Sequence, residues 1–436
     1  MRTTTAEGNR GGLVALGFLS LIVGAVSGLV GVLFRCSLEQ ADRFRTLFLA
    51  WAQAESVTGL FTVVVATAAS AACAVWLVRR FAPQASGSGI PQVEAILHGE
   101  QPPPPLVLIA VKFVGGVLAI GSGLALGREG PTVQMGASIA HTIGTLFRRN
   151  PDDCRALLAA GAGAGLAAAF NAPIAGTVFV LEELVRRFET RTAISALGAS
   201  AGAIAVARLI HGDLPDFQLK AQHFPGFGTM SAYLALGVVI GMLGVAYSRS
   251  ILIALTAANR WSRWPAEARA ALVGAAVGLL AWMAPDLVGG GDAITQRALE
   301  GTGALTTIAL VVTVRFALGA VSYAAGTPGG LFAPMLALGA QAGLAFGGIC
   351  VGWFPGVAAD PTAFAVVAMA AIFTAVVRAP ITGIILATEM TGSFTLLLPM
   401  LTACFAAMIV PTMLNCPPIY DSLHNRLPQK KGDPAH

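Results

Sequence analysis

Twelve predominantly apolar stretches, near residues 11–34, 57–82, 105–126, 130–147, 156–181, 192–211, 231–255, 268–290, 303–325, 331–354, 363–388 and 394–414, take up most of this chain. Most match the ~20 residues with which a helix crosses a hydrocarbon core, where the backbone must satisfy its own polar groups. The chain therefore reads as an all-α integral membrane protein, multi-pass, with the lipid bilayer as solvent. Only 11% of residues are charged, against about 25% in an ordinary soluble domain. Residues 1–436 form a single transmembrane domain, and 415–436 are a short polar C-terminal tail too small to bury a core of its own. The first stretch is too long for a signal-peptide core and lacks a cleavage pattern, so it reads as a retained span.

Arginines stand at the edges of these stretches: Arg79 and Arg80, Arg148 and Arg149, Arg186 and Arg187. That placement follows the positive-inside bias, not a nucleic-acid footprint, and excludes nucleic acid as a partner. Six cysteines without CxxC spacing and six histidines without an HxxxH pair signal neither a disulfide frame nor a metal site.

The chain repeats itself. "NAPIAGTVFVLEE" (171–183) has a counterpart in "RAPITGIILATEM" (378–390), offset by 207 residues, and "GREGPTVQMGA" (127–137) lies over "GLFAPMLALGA" (330–340), offset by 203. Two matches at nearly one offset imply a duplication, with a first repeat at 12–211 and a second at 231–414. Duplicated membrane domains are the usual build of secondary transporters, whose site lies at the repeat interface. An even number of stretches per half favours parallel repeats, yet a stretch broken by "FNAP" is compatible with two half-helices and an inverted pair.

Five places set proline behind small residues at membrane depth: "GSGIP" (87–91), "GREGP" (127–131), "NAP" (171–173), "GGLFAP" (329–334) and "RAP" (378–380). Proline suits the first turn of a helix, so these are candidate helix starts. A buried start leaves N–H groups unpaired and carries a partial positive charge of roughly +0.5. Glycines there let an anion reach the amides. Converging starts bind an anion without a fixed cation, which permits release as well as capture. Glu129 precedes the start at Gly130-Pro131, so its carboxylate can take the place of a transported anion and leave it on protonation. The alternative is an ion pair with Arg128, but adjacent residues at a helix start do not face each other, and intramembrane ionisable groups are functional by default. Glu182 and Glu183 end an apolar run beside Arg186 and Arg187, where a carboxylate can accept protons from the inner water.

With "GSGIP", "GREGP", "GGLFAP" and the tyrosine of "PPIY" in this order, the chain resembles the CLC family of chloride channels and chloride/proton exchangers over roughly residues 12–421, most of all its bacterial members without cytosolic regulatory domains. The resemblance implies a fold of two inverted repeats with broken, partly non-spanning helices, and a homodimer with one pathway per subunit. It implies Ser88 and Tyr420 as hydroxyl donors to the anion and Leu331 and Phe332 as backbone N–H donors. Glu129 matches the gating glutamate and Glu183 the internal proton acceptor. Lys112 matches a supporting lysine with Glu94 as its partner, and Glu182 orients or hydrates its neighbour. No cofactor is implied beyond the transported chloride and protons, and nucleotide control through a CBS pair is not expected.

The function expected is secondary active chloride/proton antiport in the inner membrane, with both termini cytoplasmic. The alternative is a passive channel of the same fold, gated by voltage or pH; Glu183 discriminates, since family channels usually carry a non-ionisable residue at its place. An intramembrane hydrolase lacks its nucleophile and metal motifs here.

Overall fold

The structure, a computed structural model, describes residues 3–220, 222, 224, 226–353 and 360–427, with side chains from residue 12 onward. The first half supplies α1 (Thr3–Ala54), α2 (Ser56–Phe81), α3 (Ile90–Leu97), α4 (Val107–Gly121), α5 (Glu129–Leu146), α6 (Pro151–Phe170), α7 (Pro173–Phe179) and α8 (Thr190–His211). The second supplies α9 (Met230–Arg260), α10 (Ala266–Met283), α11 (Asp292–Leu299), α12 (Leu305–Ala324), α13 (Phe332–Trp353), α14 (Pro361–Val377), α15 (Pro380–Thr391) and α16 (Leu397–Met413), followed by α17 (Ile419–His424). Of the expected tail, 428–436 lie outside the described residues, as does position 354 at the end of one expected stretch.

Eight of these helices are long and apolar enough to cross a bilayer, α1, α2, α6, α8, α9, α10, α12 and α13. By contrast α3 and α11 have 8 residues each, α7 has 7 and α15 has 12. At 1.5 Å per residue none of the four reaches across a core of about 30 Å. The expected stretches 156–181 and 363–388 each break in two, at 171–172 and 378–379, by one device. Asn171 (φ 49°) and Arg378 (φ 75°) end α6 and α14 in the left-handed region, the following alanine is extended, and Pro173 and Pro380 open the next helix. Two expected boundaries move furthest: the first stretch continues as helix to Ala54, and 268–290 stops at Met283 before the turn at Pro285. Hydropathy did not reveal α3, α11 or α17 as elements, because each is too short for its window.

The halves are inverted, and contacts between matched positions show how. Gly127 and Gly330, paired by the sequence offset, meet in an antiparallel bridge in which each N–H donates to the other's carbonyl, at 2.9 and 2.7 Å. Glu389 accepts from the N–H groups of Ile174 and Ala175 at 3.1 and 2.8 Å, and its repeat counterpart Glu182 accepts from Ile381 and Thr382 at 3.0 and 2.7 Å. Such exchange between equivalents is what a two-fold relation produces. A third pairing follows the same offset, with "VKFVGG" (111–116) over "VRFALG" (314–319): Gly89 (φ 92°) and Gly291 (φ 111°) cap the starts of α3 and α11, and a buried cation holds the loop before each. Lys112 donates to the carbonyls of Ala85 and Gly87, and Arg315 to those of Leu287, Gly289 and Gly290.

Candidate functional site

All five proline motifs start helices, at α3, α5, α7, α13 and α15. They do not all gather. The starts of α7 and α15 are already occupied by Glu389 and Glu182, so the expectation of five converging starts narrows to three. The physical reason is the inversion, which carries a carboxylate from each half onto the start in the other. Glu182 thus caps α15 and takes a further bond from Thr382 Oγ1 at 2.7 Å, a role its place in the sequence did not disclose.

The remaining starts, of α3, α5 and α13, come together in the interior. A methyl group on Gly130 would lie 2.6 Å from both the carbonyl oxygen and Oγ of Ser88, so only glycine lets α5 begin against the loop that opens α3. Gly330 stands against the N–H of Gly130 and against Glu129 in the same way. Glu129 is fully buried, and its Oε1 accepts from the N–H of Ala333 at 2.7 Å, which puts its carboxylate on the first turn of α13. Charge at this end complements the helix dipole. Gly127 makes the seat possible: a methyl there would lie 2.5 Å from Glu129 Cδ and closer still to both carboxylate oxygens.

Arg128 takes no part in that seat. Its guanidinium turns to Asp216 (3.1 Å), Asp292 (3.0 Å) and the carbonyl of Ala169 (2.9 Å), and Arg35 braces Asp216 from α1 at 2.7 Å. The Arg128–Glu129 ion pair therefore does not form, because the two side chains leave the helix start in different directions.

Around this point lie unpaired polar atoms. Among the described residues Ser88 Oγ, Tyr420 Oη and Glu129 Oε2 are buried and have no hydrogen-bond partner, and the N–H groups of Leu331 and Phe332 find no acceptor. Buried donors are ordinarily satisfied, so two orphan hydroxyls and two free amides fit an anion as their common acceptor. The Phe332 ring sits among Phe179 (5.9 Å), Phe373 (4.8 Å) and Tyr420 (5.8 Å), which fixes the start of α13 and the position of the tyrosine. Tyr420 reaches the interior on α17, where Ile419 and Leu423 are also buried; the expected polar tail thus contributes a packed element.

Two cavities flank the site. One of about 100 Å³ is lined by Gly127, Arg128, Ala333, Gly290 and Asp292. The other, about 370 Å³, lies on the face carrying Arg186 and Arg187 and is lined by Glu182, Glu183 and Arg378 as well. Glu183 is buried, with Oε1 lacking a hydrogen-bond partner, and stands 3.5 Å from Arg186. That guanidinium also meets Glu94 at 3.1 Å and Asp421 at 2.6 Å. One cation thus serves three carboxylates, and its role beyond charge bias was not visible in sequence. Glu94 pairs with Arg186, and His424 stands 3.7 Å away, so the expected Lys112–Glu94 pair is replaced: Lys112 reaches the carbonyls ahead of α3, whereas Glu94 sits near the other end of that helix.

Comparison with known proteins follows this geometry. The family profile described as voltage gated chloride channel matches residues 70–412. The chain is 39% identical over 419 residues to the H(+)/Cl(-) exchange transporter ClcA of Vibrio cholerae, covering 94% of this chain and 89% of that one. It is 35% identical to the protein of the same name from Yersinia pseudotuberculosis, over 96% and 91% of the two chains. The crystal structure of a slow cyanobacterial Cl−/H+ antiporter superposes with a TM-score of 0.90 at 32% identity, over 94% and 97% of the chains.

Proposed function

Since the chain belongs to the voltage gated chloride channel family, whose exchange transporters move ions and are not enzymes, we propose that it is a secondary active chloride/proton antiporter with Glu129 as its proton-linked gate. The observation that carries this reading is the Glu129 carboxylate bonded to the Ala333 N–H at 2.7 Å, beside the free hydroxyls of Ser88 and Tyr420. A carboxylate on that helix start is a stand-in for the anion. When charged it holds the berth; when protonated it loses most of its attraction to the dipole and yields to chloride. Chloride takes hydroxyl donors from Ser88 and Tyr420 and amides from Leu331 and Phe332, with Gly130 keeping side chains out of the way. Because the donors are dipoles, the ion is held without a formal partner and can leave.

Glu183 is the internal proton acceptor in this reading, buried at the edge of the inner cavity and poised by Arg186 against Glu94 and Asp421. A proton that reaches Glu183 from the inner water passes on toward Glu129, and chloride moves the other way. Glu182 and Lys112 act as scaffold, one capping α15 and the other tying the loop before α3. We place the repeat units at 12–211 and 231–414 of one transport domain, with the arginine-rich face and both termini toward the cytoplasm of a plasma membrane, and assign a homodimer with one pathway per subunit.

Purified protein in liposomes, with chloride efflux and proton uptake recorded together, tests the assignment. Glu129→Ala passes chloride but moves no protons against a chloride gradient, and Glu183→Gln keeps chloride flux while losing coupling. Undiminished proton pumping by either variant would contradict its role.

A further inference from the structure

On the arginine-rich face, the end of α9 borders another cavity, of about 460 Å³, lined by Arg249, Leu252, Ile253, Thr256, Ala257, Arg260 and Arg426. No acidic side chain lines it. None of its three arginines joins an ion pair among the described residues, and the Arg260 guanidinium has no hydrogen-bond partner there at all. Arg249 gives one bond to the carbonyl of Leu414, at 3.1 Å, and Arg426 gives bonds to the Leu252 carbonyl (3.4 Å) and Thr256 Oγ1 (3.2 Å). Most of their fifteen-odd N–H donors stay unused, at five per guanidinium.

The cavity is also half apolar. Ile253, 68% exposed, forms its wall together with Leu252 and Ala257. Just beyond Arg260, Trp261 and Trp264 are exposed, with rings 6.5 Å apart. Exposed tryptophans of this kind mark the depth of the headgroups in a bilayer. Guanidinium forks match the oxygens of a phosphate, and an apolar wall running from them along α9 toward the hydrocarbon matches an acyl chain. We propose that this cavity is a binding site for the phosphate headgroup of an anionic glycerophospholipid of the arginine-rich leaflet.

Arg426 gives the site a route to the transport pathway. It lies two residues beyond α17, the helix that carries Tyr420, and it ties that segment to α9. A headgroup shared by Arg249, Arg260 and Arg426 therefore braces α17 against α9 and steadies the Tyr420 hydroxyl. This last step rests on the transport reading; lipid binding does not.

Native mass spectrometry of the full chain, with phosphatidylglycerol and phosphatidylcholine offered together, tests the site. The wild type retains phosphatidylglycerol preferentially, and Arg249→Gln/Arg260→Gln weakens that retention about thirtyfold. Arg263→Gln, exposed on the same face but outside the cavity, serves as the control and leaves retention unchanged. Both substituted arginines are exposed, so the fold survives; equal retention by the double variant and the wild type overturns the proposal. Inorganic phosphate is the second probe: if it displaces phosphatidylglycerol at equimolar concentration, the apolar wall contributes nothing and the lipid assignment falls. In vesicles, the ratio of chloride efflux in phosphatidylglycerol to that in phosphatidylcholine differs from 1 for the wild type and returns to about 1 in the double variant. If lipid retention is lost but this ratio does not change, the coupling through α17 is refuted and the binding site stands.

Discussion

Replacing Gly127 by alanine tests the carboxylate seat without touching the carboxylate. Gly127 is not among the residues with positive φ, so alanine fits its backbone and any effect comes from the added methyl. That methyl would lie 2.5 Å from Glu129 Cδ, inside the 3.0 Å that real Cβ contacts essentially never breach, and nearer still to both oxygens. The Gly127 backbone is itself pinned by paired bonds to Gly330 at 2.9 and 2.7 Å, so the side chain must yield. Its bond to the Ala333 N–H, 2.7 Å in the native structure, does not survive that displacement. A hydrogen bond to a charged group contributes about 1.5–3 kcal/mol, so the ratio of seated to displaced carboxylate falls between about tenfold and a hundredfold. On the proposed gate, chloride efflux by the wild type in proteoliposomes should speed up as the medium is acidified, because protonation frees the berth. Gly127→Ala should be fast already at neutral pH, respond weakly to acid and move fewer protons per chloride. Wild-type rate, acid response and coupling in a correctly folded Gly127→Ala protein would refute the seat.

Other substitutions read other parts of the account. Ser88→Ala and Tyr420→Phe each remove a hydroxyl with no protein partner; chloride affinity by calorimetry should fall about tenfold, at the size of one hydrogen bond to a charged acceptor, while thermal stability holds. Glu389→Ala and Glu182→Ala uncap α7 and α15 in turn, and each should lower unfolding stability in detergent by about 1–3 kcal/mol; unchanged stability in both would show that the exchanged caps contribute nothing.

Much of this arrangement could be read from the chain alone, and the reasons are local. Proline set behind small residues located all five helix starts, although those of α7 and α15 lie exposed at Ile174 and Ile381, because proline and its small neighbours act on their own backbone. The repeat offset paired Gly127 with Gly330 because both halves keep the residue type where the backbones touch. What escaped depends on groups far apart in sequence. Which carboxylate lies on which helix start is decided by the inversion, so the caps given by Glu182 and Glu389 were hidden. Arg128 finds Asp216 and Asp292 at separations of 88 and 164 residues, and no motif spans such distances. Lys112 reaches backbone carbonyls, which carry no residue identity to read. The α3–α11 relation leaves a signal only in the cation segments, where "VKFVGG" (111–116) lies over "VRFALG" (314–319) at an offset of 203, whereas "GSGIP" and "GGGDA" share only their glycines.

Anomalous diffraction from crystals grown in bromide tests the shared berth most directly. The account predicts one bromide among Ser88 Oγ, Tyr420 Oη and the amides of Leu331 and Phe332 in the wild type, and in Glu129→Gln a second at the vacated seat by the Ala333 N–H. Bromide lodged elsewhere, or a Glu129→Gln crystal with no added peak, would contradict it.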